Sequence, residues 1–364
     1  FTMTSHKYEF HPLDAKNMKR IQTHFKGYKH ELYQTKPEGW VLAQGFVERA
    51  KVAHAMELRP DDVWLLGYPK TGTTWTQEMI WCICNNCDFE EGKKGIMERF
   101  PILETEAYID LGQYSHKRKL YSGLLKMLPN TKQMAGIKAF SSVIKHDQST
   151  MLQNMESPRF IKTHLPISLL PESLLDTCKV VYVARNPKDT LSSRFHHFRL
   201  FKCHSYNGDF EFLFNLFLED LTIYDPFPLH VMQAWELRDH PNMCFLFYED
   251  LKKDLEGSII KLSKFLNKTL DENDILRLKN HLSFDNFKKN PAVNFEGGKT
   301  LGFINNKGHF IRKGIVGDYK NHFTPEMEKK MDEWIKERFK DSELIRRFVS
   351  EDSTTHTRAS DTEN

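Results

Sequence analysis

The hydrophobic positions of the 364-residue chain fall into short apolar runs that alternate with longer helical stripes. The short runs, rich in β-branched and aromatic residues, predict strands at 63–68, 159–163, 179–184 and 244–248. The stripes predict helices at 74–86, 188–201 and 255–266. Such alternation is typical of a parallel sheet covered by helices, with ligands bound beyond the carboxyl ends of the strands. We therefore expect an α/β fold with a central parallel sheet flanked by helices.

Neither an internal repeat nor a linker divides the sequence, and this pattern predicts one domain over residues 56–348. Residues 1–55 are expected to be an N-terminal lead-in packed on that domain. The C-terminal residues 349–364 are polar and almost free of large apolar groups, so we expect a disordered tail there.

Composition and charge narrow the classes of protein. The 52 Lys and Arg residues against 49 Asp and Glu leave a net charge of +3, too small to suggest binding of duplex nucleic acid. No apolar run reaches the roughly 18 residues of a membrane span, and the N-terminus lacks the apolar core of a signal peptide. Six cysteines in such a chain are best interpreted as reduced thiols, which favours the cytoplasm.

A phosphate-binding loop is predicted in VWLLGYPKTGTTW, residues 63–75. A strand that runs through a Gly/Thr turn into a helix aims backbone N–H groups and the positive helix end at an anion. Gly67 and Gly72 have the spacing of the common nucleotide loop, but Lys70 does not follow the second glycine. An ordinary tight turn with an incidental lysine is the alternative.

Three further segments carry candidate anion-binding groups. Arg185 follows a strand and precedes a helix that contains Ser193, although a salt bridge to Asp189 would explain this arginine equally well. The stretch HFIRKGIVGDYK predicts an anion-binding loop rather than a strand, with a solvated basic loop as the alternative. Lys162 and His164 lie at the end of a third predicted strand, in RFIKTHLP.

Together these segments resemble the cytosolic sulfotransferase family. YPKTGTTW, KTHLP, VYVARNPKD with the later Ser193, LFYEDL and RKGIVGDYK occur in the family's order between about residues 60 and 325. The resemblance implies a P-loop-like sulfotransferase fold. It also implies transfer of a sulfuryl group from 3′-phosphoadenylyl sulfate to the hydroxyl of a small hydrophobic alcohol or phenol.

The resemblance also implies roles for individual residues. His164 would be the general base, and Lys70 and Lys162 would stabilise charge on the transferring group, as expected from the basicity of imidazole and the charge of ammonium groups. The implied nucleotide-binding residues are Lys70, Thr71, Gly72, Thr73, Thr74, Trp75, Arg185, Ser193, Tyr248, Ser283, Phe284, Phe310, Ile311, Arg312, Lys313 and Gly314. No metal is required, and Cys82, Cys84 and Cys87 are better explained by a helix end than by zinc.

The sequence departs from the family in three places. A total of 86 residues separates Trp75 from Lys162, so we expect residues 88–158 to hold a long insert. The family's C-terminal dimer motif has Pro325 and Lys329 in place of Val and Glu, so a homodimer is possible but in doubt. Leu282 stands where a threonine often contacts the nucleotide.

The insert suggests a lid over an apolar acceptor pocket, formed mainly by residues 90–130. Residues 195–227 contain ten aromatic side chains, of which we expect more than half in the core and the remainder beside His164. Three other functions stay open: sulfonation followed by elimination, as in the family's retinol dehydratases; a nucleotide-dependent kinase, for which Lys70 is misplaced; and a non-catalytic carrier of apolar ligands.

Overall fold

The computed structural model describes residues 3–5, 8–105, 107, 136–138, 148–340 and 342–349. Its strands are β1 (Met3–Ser5), β2 (Tyr8–Pro12), β3 (Leu32–Lys36), β4 (Val41–Ala43), β5 (Val63–Leu66), β6 (Phe160–Thr163), β7 (Lys179–Ala184) and β8 (Met243–Phe247). The α-helices of the described residues are Ala15–Gln22, Gln44–His54, Thr73–Cys84, Ile96–Arg99, Gln148–Asn154, Leu174–Thr177, Pro187–Leu200, Phe210–Leu218, Phe227–Glu236, Tyr248–Lys253, Leu255–Phe265, Glu272–His281, Phe284–Lys289, Gly297–Thr300, Pro325–Arg338 and Leu344–Phe348. Short 3₁₀ turns lie at Glu91–Lys93, Ile167–Leu169 and Asp318–Asn321.

The centre of the fold is a parallel sheet in the order β6-β5-β7-β8. Its strands are buried along their whole length, except for Lys179 at the start of β7. Helices follow β5, β7 and β8 and cover the sheet. The predicted α/β fold with a central parallel sheet is confirmed, and the predicted strands and helices agree with the observed ones to within about two residues.

The sheet order decides where the polar groups meet. Each parallel strand points its carboxyl end toward the same edge, and the segments that leave β5, β6 and β7 are neighbours there. Lys70 follows β5, His164 follows β6 and Arg185 follows β7. Tyr248 directly follows β8, at the outer position of the same edge.

The N-terminal residues form a second sheet, which the sequence analysis did not predict. Strands β1 to β4 pair in antiparallel fashion in sequence order. Trp40 and Phe46, both with no exposed surface, belong to the same hydrophobic cluster as Trp64 and Tyr182 of the central sheet. In addition, the Val41 N–H donates to the Asp225 carbonyl and the Tyr224 N–H donates to the Val41 carbonyl. The two sheets therefore share one core.

Part of the long insert lies beside the central sheet. Ile102 forms a parallel bridge with Lys162 of β6, the Leu103 N–H donates to the Lys162 carbonyl, and the Lys162 N–H donates to the Pro101 carbonyl. The apolar residues 100–103 thus have a sheet partner, which the sequence alone did not indicate. Most of the proposed lid, including 108–130, lies outside the described residues, and so does the expected disordered tail from residue 350 onward.

Candidate active site

The loop between β5 and the helix Thr73–Cys84 has the backbone geometry of an anion cradle. Gly72 is the N-terminal capping residue of that helix and has a left-handed φ of 101°, a conformation that favours glycine. A Cβ at this position would lie 2.5 Å from the Tyr248 ring, so the loop approaches the end of β8 closely. Lys70 also has a positive φ, of 74°. The loop therefore points the first N–H groups of the helix at a common centre.

Two buried ammonium groups stand beside this loop. The Lys70 Nζ lies 3.9 Å from the centroid of the Phe310 ring, and the Lys162 Nζ donates to Thr74 Oγ1 and Gln77 Oε1, both at 3.3 Å. Burial, together with the positive charges of Lys162, Arg185 and Arg312, lowers the pKa of Lys70 to about 7. Burial also lowers the pKa of Lys162 to about 7. The positive charges of this site repel one another, and a bound anion would offset that repulsion.

His164 is held as a neutral base. Its Nδ1 lies 2.6 Å from the Gly67 carbonyl oxygen, which can only accept a hydrogen bond. The proton must therefore be on Nδ1, and Nε2 carries the lone pair. Burial, together with the charge of Lys162, lowers the pKa of this imidazole well below its usual range. His164 also lines the cavity, as do Lys70 and Lys162.

Glu104 is a buried acid that the sequence analysis missed. Its carboxylate accepts the His164 N–H at 2.6 Å, the Thr163 hydroxyl at 2.8 Å and the Tyr224 hydroxyl at 3.3 Å. Burial raises its pKa to about 7, although the hydrogen bonds and Lys162 oppose that rise. In the sequence, the only indication of this role is a carboxylate at the end of the apolar run FPILE. The pairing of Ile102 with β6 places that carboxylate beside His164.

Arg185 has the environment of an anion-binding residue. Its guanidinium donates to the Lys70 and Ile315 carbonyls, both at 3.3 Å, and stacks over the Tyr248 ring at 4.3 Å. The ion pair with Asp189 exists but is long, at 3.6 Å, because the same carboxylate accepts the Gly317 N–H at 2.7 Å. The buried Arg185 Nε has no hydrogen-bond partner within the described part of the chain. One strong donor is thus left for a ligand.

The segment after residue 304 is a loop, as the sequence predicted, and it brings two more cations to the cavity. Arg312 and Lys313 both form ion pairs with Asp318, and the Lys313 Nζ to Asp318 Oδ1 distance is 2.8 Å. Gly314 has a positive φ of 64°, and a Cβ there would lie 2.5 Å from the Phe284 ring. The loop is therefore packed tightly against the helix Phe284–Lys289.

Aromatic side chains form one wall of the cavity. The Trp75 and Tyr248 rings meet edge to face with centroids 6.0 Å apart, and the Trp75 indole N–H donates to the Leu282 carbonyl at 2.9 Å. Lys252, which the sequence analysis did not select, places its Nζ 5.4 Å from Trp75 and 6.0 Å from Phe284. Leu282 itself is buried in the core, so its side chain does not replace the missing threonine hydroxyl.

The structure brings almost all of the predicted site residues into one cavity. Only Thr71 and Ser283 do not line it. The Thr71 hydroxyl is buried and donates to the Tyr68 carbonyl at 2.8 Å, so it stabilises the loop from behind. Ser283 is the capping residue of the helix Phe284–Lys289.

The apolar part of the cavity lining was only partly anticipated. Its lining residues that the sequence analysis did not list as site residues include Met97, Ile102, Phe201, Cys203, Phe287 and Phe295, with the imidazoles of His197 and His204 among them. Of the ten aromatics in 195–227, seven are core residues, as expected for more than half. Of the other three, Phe201 lines the cavity as expected, whereas Phe210 and Phe212 pack against the core instead.

Two other sequence features have clear structural outcomes. Pro325 occupies the first turn of the helix Pro325–Arg338, a position that tolerates proline, and Thr324 caps that helix through its side chain.

All six cysteines are free, and Cys82 and Cys84 lie in the last turn of a helix. Within the described residues, no helix has the length and apolarity to span a membrane.

Known proteins share this chain's sequence pattern and fold. The model of the sulfotransferase domain matches residues 60–343. Luciferin sulfotransferase of Photinus pyralis is 34% identical over 311 residues, covering 84% of this chain and 78% of that protein. Human sulfotransferase 1E1 is also 34% identical over 311 residues, covering 84% of this chain and 93% of that protein.

Solved structures of sulfotransferases and of retinol dehydratase have the same fold as this chain. Retinol dehydratase in complex with retinol and PAP superposes with a TM-score of 0.80 at 35% identity, covering 94% of this chain and 99% of that one. Mouse sulfotransferase SULT7A1 complexed with PAP gives a TM-score of 0.60 at 25% identity, covering 87% of this chain and 96% of that one. The chain therefore belongs to the sulfotransferase family and is a transferase of that class.

Proposed function

We propose that this enzyme transfers the sulfuryl group of 3′-phosphoadenylyl sulfate to the hydroxyl of a small hydrophobic alcohol or phenol. The observation that carries the proposal is the meeting of His164, Lys70 and Lys162 in one cavity with the loop that ends at Gly72. The cavity is lined both by cations and by apolar groups. Such a lining suits an anionic donor and an apolar acceptor.

His164 acts as the general base in this proposal. An alcohol is a weak nucleophile, and a base that removes its proton as the new S–O bond forms accelerates the attack. The Nε2 lone pair of His164 is available for this proton, because Nδ1 is engaged with the Gly67 carbonyl. The proton passes from the acceptor hydroxyl to Nε2, the new ester S–O bond forms, and the bond from sulfur to the nucleotide oxygen breaks.

Lys70 and Lys162 stabilise the charge that develops during transfer. Negative charge grows on the oxygen of the departing nucleotide, and an ammonium in a buried site is most effective there. Both lysines have pKa values lowered to about 7 without a ligand, so an anionic donor would raise these values and favour the charged forms.

The chain's residues fit a nucleotide with a 3′-phosphate. Arg185 has an unpaired buried Nε, and Arg312 and Lys313 can exchange their ion pair with Asp318 for a phosphate. Trp75 and Phe284 provide aromatic faces for the base. Structural relatives that are complexed with PAP support this assignment by analogy.

A second candidate reaction is sulfonation followed by elimination. If the acceptor is an allylic alcohol, the sulfate ester can lose hydrogen sulfate and give net dehydration. The observation that favours it is the similarity to retinol dehydratase, at 35% identity over 94% of this chain. The two reactions share the first step and the same residues.

The test is incubation of the full chain with 3′-phosphoadenylyl sulfate and a panel of phenols, sterols, retinoids and amines, followed by mass spectrometry. We expect a donor-dependent sulfate ester of at least one apolar alcohol or phenol. If retinol gives a product that has lost one molecule of water, the reaction is sulfonation followed by elimination. Absence of any donor-dependent product would refute both proposals.

The variant His164→Ala tests the proposed base. Its transfer rate should fall by about 10²–10⁴, while the affinity for adenosine 3′,5′-bisphosphate stays nearly unchanged because the base contacts the acceptor. Full activity in this variant would remove His164 from the mechanism.

A further inference from the structure

A second group of chemically capable side chains lies at the border of the nucleotide site. His196 on the helix Pro187–Leu200 faces Asp318 and His322, which are four residues apart around the turn Asp318–Asn321. The ligand-type atoms of these three residues lie within 4.8 Å of one another. The two Nε2 atoms are 3.0 Å apart. Sulfonation as proposed above uses none of the three residues.

Two imidazoles and a carboxylate are ligands that suit zinc and similar divalent ions. Both histidines are half-buried, so a fourth position is open to water. Tetrahedral zinc with bonds of about 2.0–2.1 Å separates two nitrogen ligands by about 3.3 Å, so the rings need to move only slightly.

The other cluster of this kind among the described residues is less suitable. Glu78, Cys82 and His281 also bring ligand-type atoms within 4.8 Å of one another. However, Arg99 forms a buried ion pair with Glu78 at 2.7 Å. Burial also raises the pKa of the Cys82 thiol, which keeps it protonated. A metal ion there would have to displace the arginine and a proton.

We propose that His196, His322 and Asp318 form a binding site for one divalent cation of the zinc class. Two facing elements supply the three ligands, and the Nε2 atoms of the two histidines already lie 3.0 Å apart. Without a metal, one of the two facing Nε2 atoms must carry a proton and donate it to the lone pair of the other. A metal ion can accept both lone pairs at once.

Asp318 links this site to the nucleotide site. Its carboxylate also forms ion pairs with Arg312 and Lys313. These two cations weaken the binding of a metal ion, without preventing it, as long as no phosphate is present to engage them. This step rests on the proposed function: if both cations hold the 3′-phosphate, Asp318 is released for the metal. The coupling must be mutual, so the metal also strengthens nucleotide binding.

The first experiment tests the metal site without any nucleotide. Co²⁺ is titrated into the full chain, and binding is followed by visible absorption, with Zn²⁺ as the competitor. We expect one saturable Co²⁺ per chain that Zn²⁺ displaces. His196→Asn and His322→Asn should each weaken binding by about 10–100-fold, whereas the matched control His281→Asn should bind as the original protein does.

Thermal unfolding of each variant shows whether it is folded. If the unaltered chain shows no saturable binding, or if both His196→Asn and His322→Asn bind normally, the site does not exist. Loss of binding in His281→Asn alone would assign the metal to the other cluster and would equally overturn the proposal.

The second experiment tests the coupling separately. The Zn²⁺ affinity is measured with and without adenosine 3′,5′-bisphosphate, and with adenosine 5′-monophosphate as the control. We expect tighter Zn²⁺ binding only with the 3′-phosphorylated nucleotide. Zn²⁺ binding that is equal in all three cases would keep the metal site and refute the coupling. Failure of the nucleotide itself to bind would instead count against the proposed function.

Discussion

At the scale of single residues, the site depends on buried groups whose charge is decided by their neighbours. Glu104 illustrates this. Its carboxylate accepts a hydrogen bond from the backbone N–H of His164 and acts on Lys162 through the electrostatic attraction of its charge. Its negative charge raises the pKa of Lys162 against the effect of burial. In the proposed mechanism, Glu104 is thus a positioning residue, which orients His164 and keeps Lys162 charged.

For Glu104→Gln we expect a shift of the pH profile as well as a slower reaction. Without the carboxylate, the pKa of Lys162 falls further, and activity that needs the charged lysine is lost at lower pH. The alkaline limb of kcat should therefore move down by about one pH unit. The exposed Glu98→Gln is the matched control, and an unshifted limb in Glu104→Gln would leave that residue a purely structural role.

For Arg185→Ala we expect a selective loss of affinity. Its charge-assisted contacts to a phosphate would contribute about 1.5–3 kcal/mol, and that contribution disappears only for a nucleotide with the 3′-phosphate. Calorimetry with adenosine 3′,5′-bisphosphate and adenosine 5′-monophosphate measures the difference. The exposed Arg199→Ala is the control, and an equal weakening for both nucleotides would contradict the assignment.

At the scale of elements, the sequence predicted the central sheet well because its strands are continuous apolar runs, buried on both faces. The phosphate loop was found because its glycine spacing and lysine form a local pattern. Glu104 was not, because its importance arises from the pairing of residue 102 with β6, a contact that is distant in sequence. The antiparallel N-terminal sheet was missed because its strands are only three to five residues long, too short for a periodic pattern to stand out.

Gly72→Ala tests the loop as an element. The new Cβ would be strained by the left-handed φ and would meet the Tyr248 ring at 2.5 Å. We expect the affinity for adenosine 3′,5′-bisphosphate to fall at least about tenfold, or about 1.4 kcal/mol. Gly302→Ala is the matched control, since that glycine also has a positive φ but no atom within 4 Å of the added Cβ. Equal nucleotide binding in both variants would show that the close approach is not needed.

At the scale of the whole molecule, the two sheets act as one body around the site. The β4 strand is hydrogen-bonded to residues 224–225, and the Tyr224 hydroxyl contacts Glu104 behind His164. The N-terminal residues therefore support the candidate active site even though they do not line the cavity. Sequence motifs could indicate which residues share a site, but only the packed structure shows what holds them in place.

The lowered pKa values of Lys70 and Lys162 have a thermodynamic consequence for ligand binding. At pH 8 an empty site holds fewer protons than a site filled by an anionic nucleotide, so binding should take up protons from the solvent. Affinity should then fall above pH 7, by up to about tenfold per pH unit for each proton. Calorimetry at pH 8 in Tris and in HEPES should give different apparent enthalpies of nucleotide binding, because the buffer that donates the protons contributes its own heat of ionisation. Identical enthalpies in the two buffers at pH 8 would contradict this proton uptake.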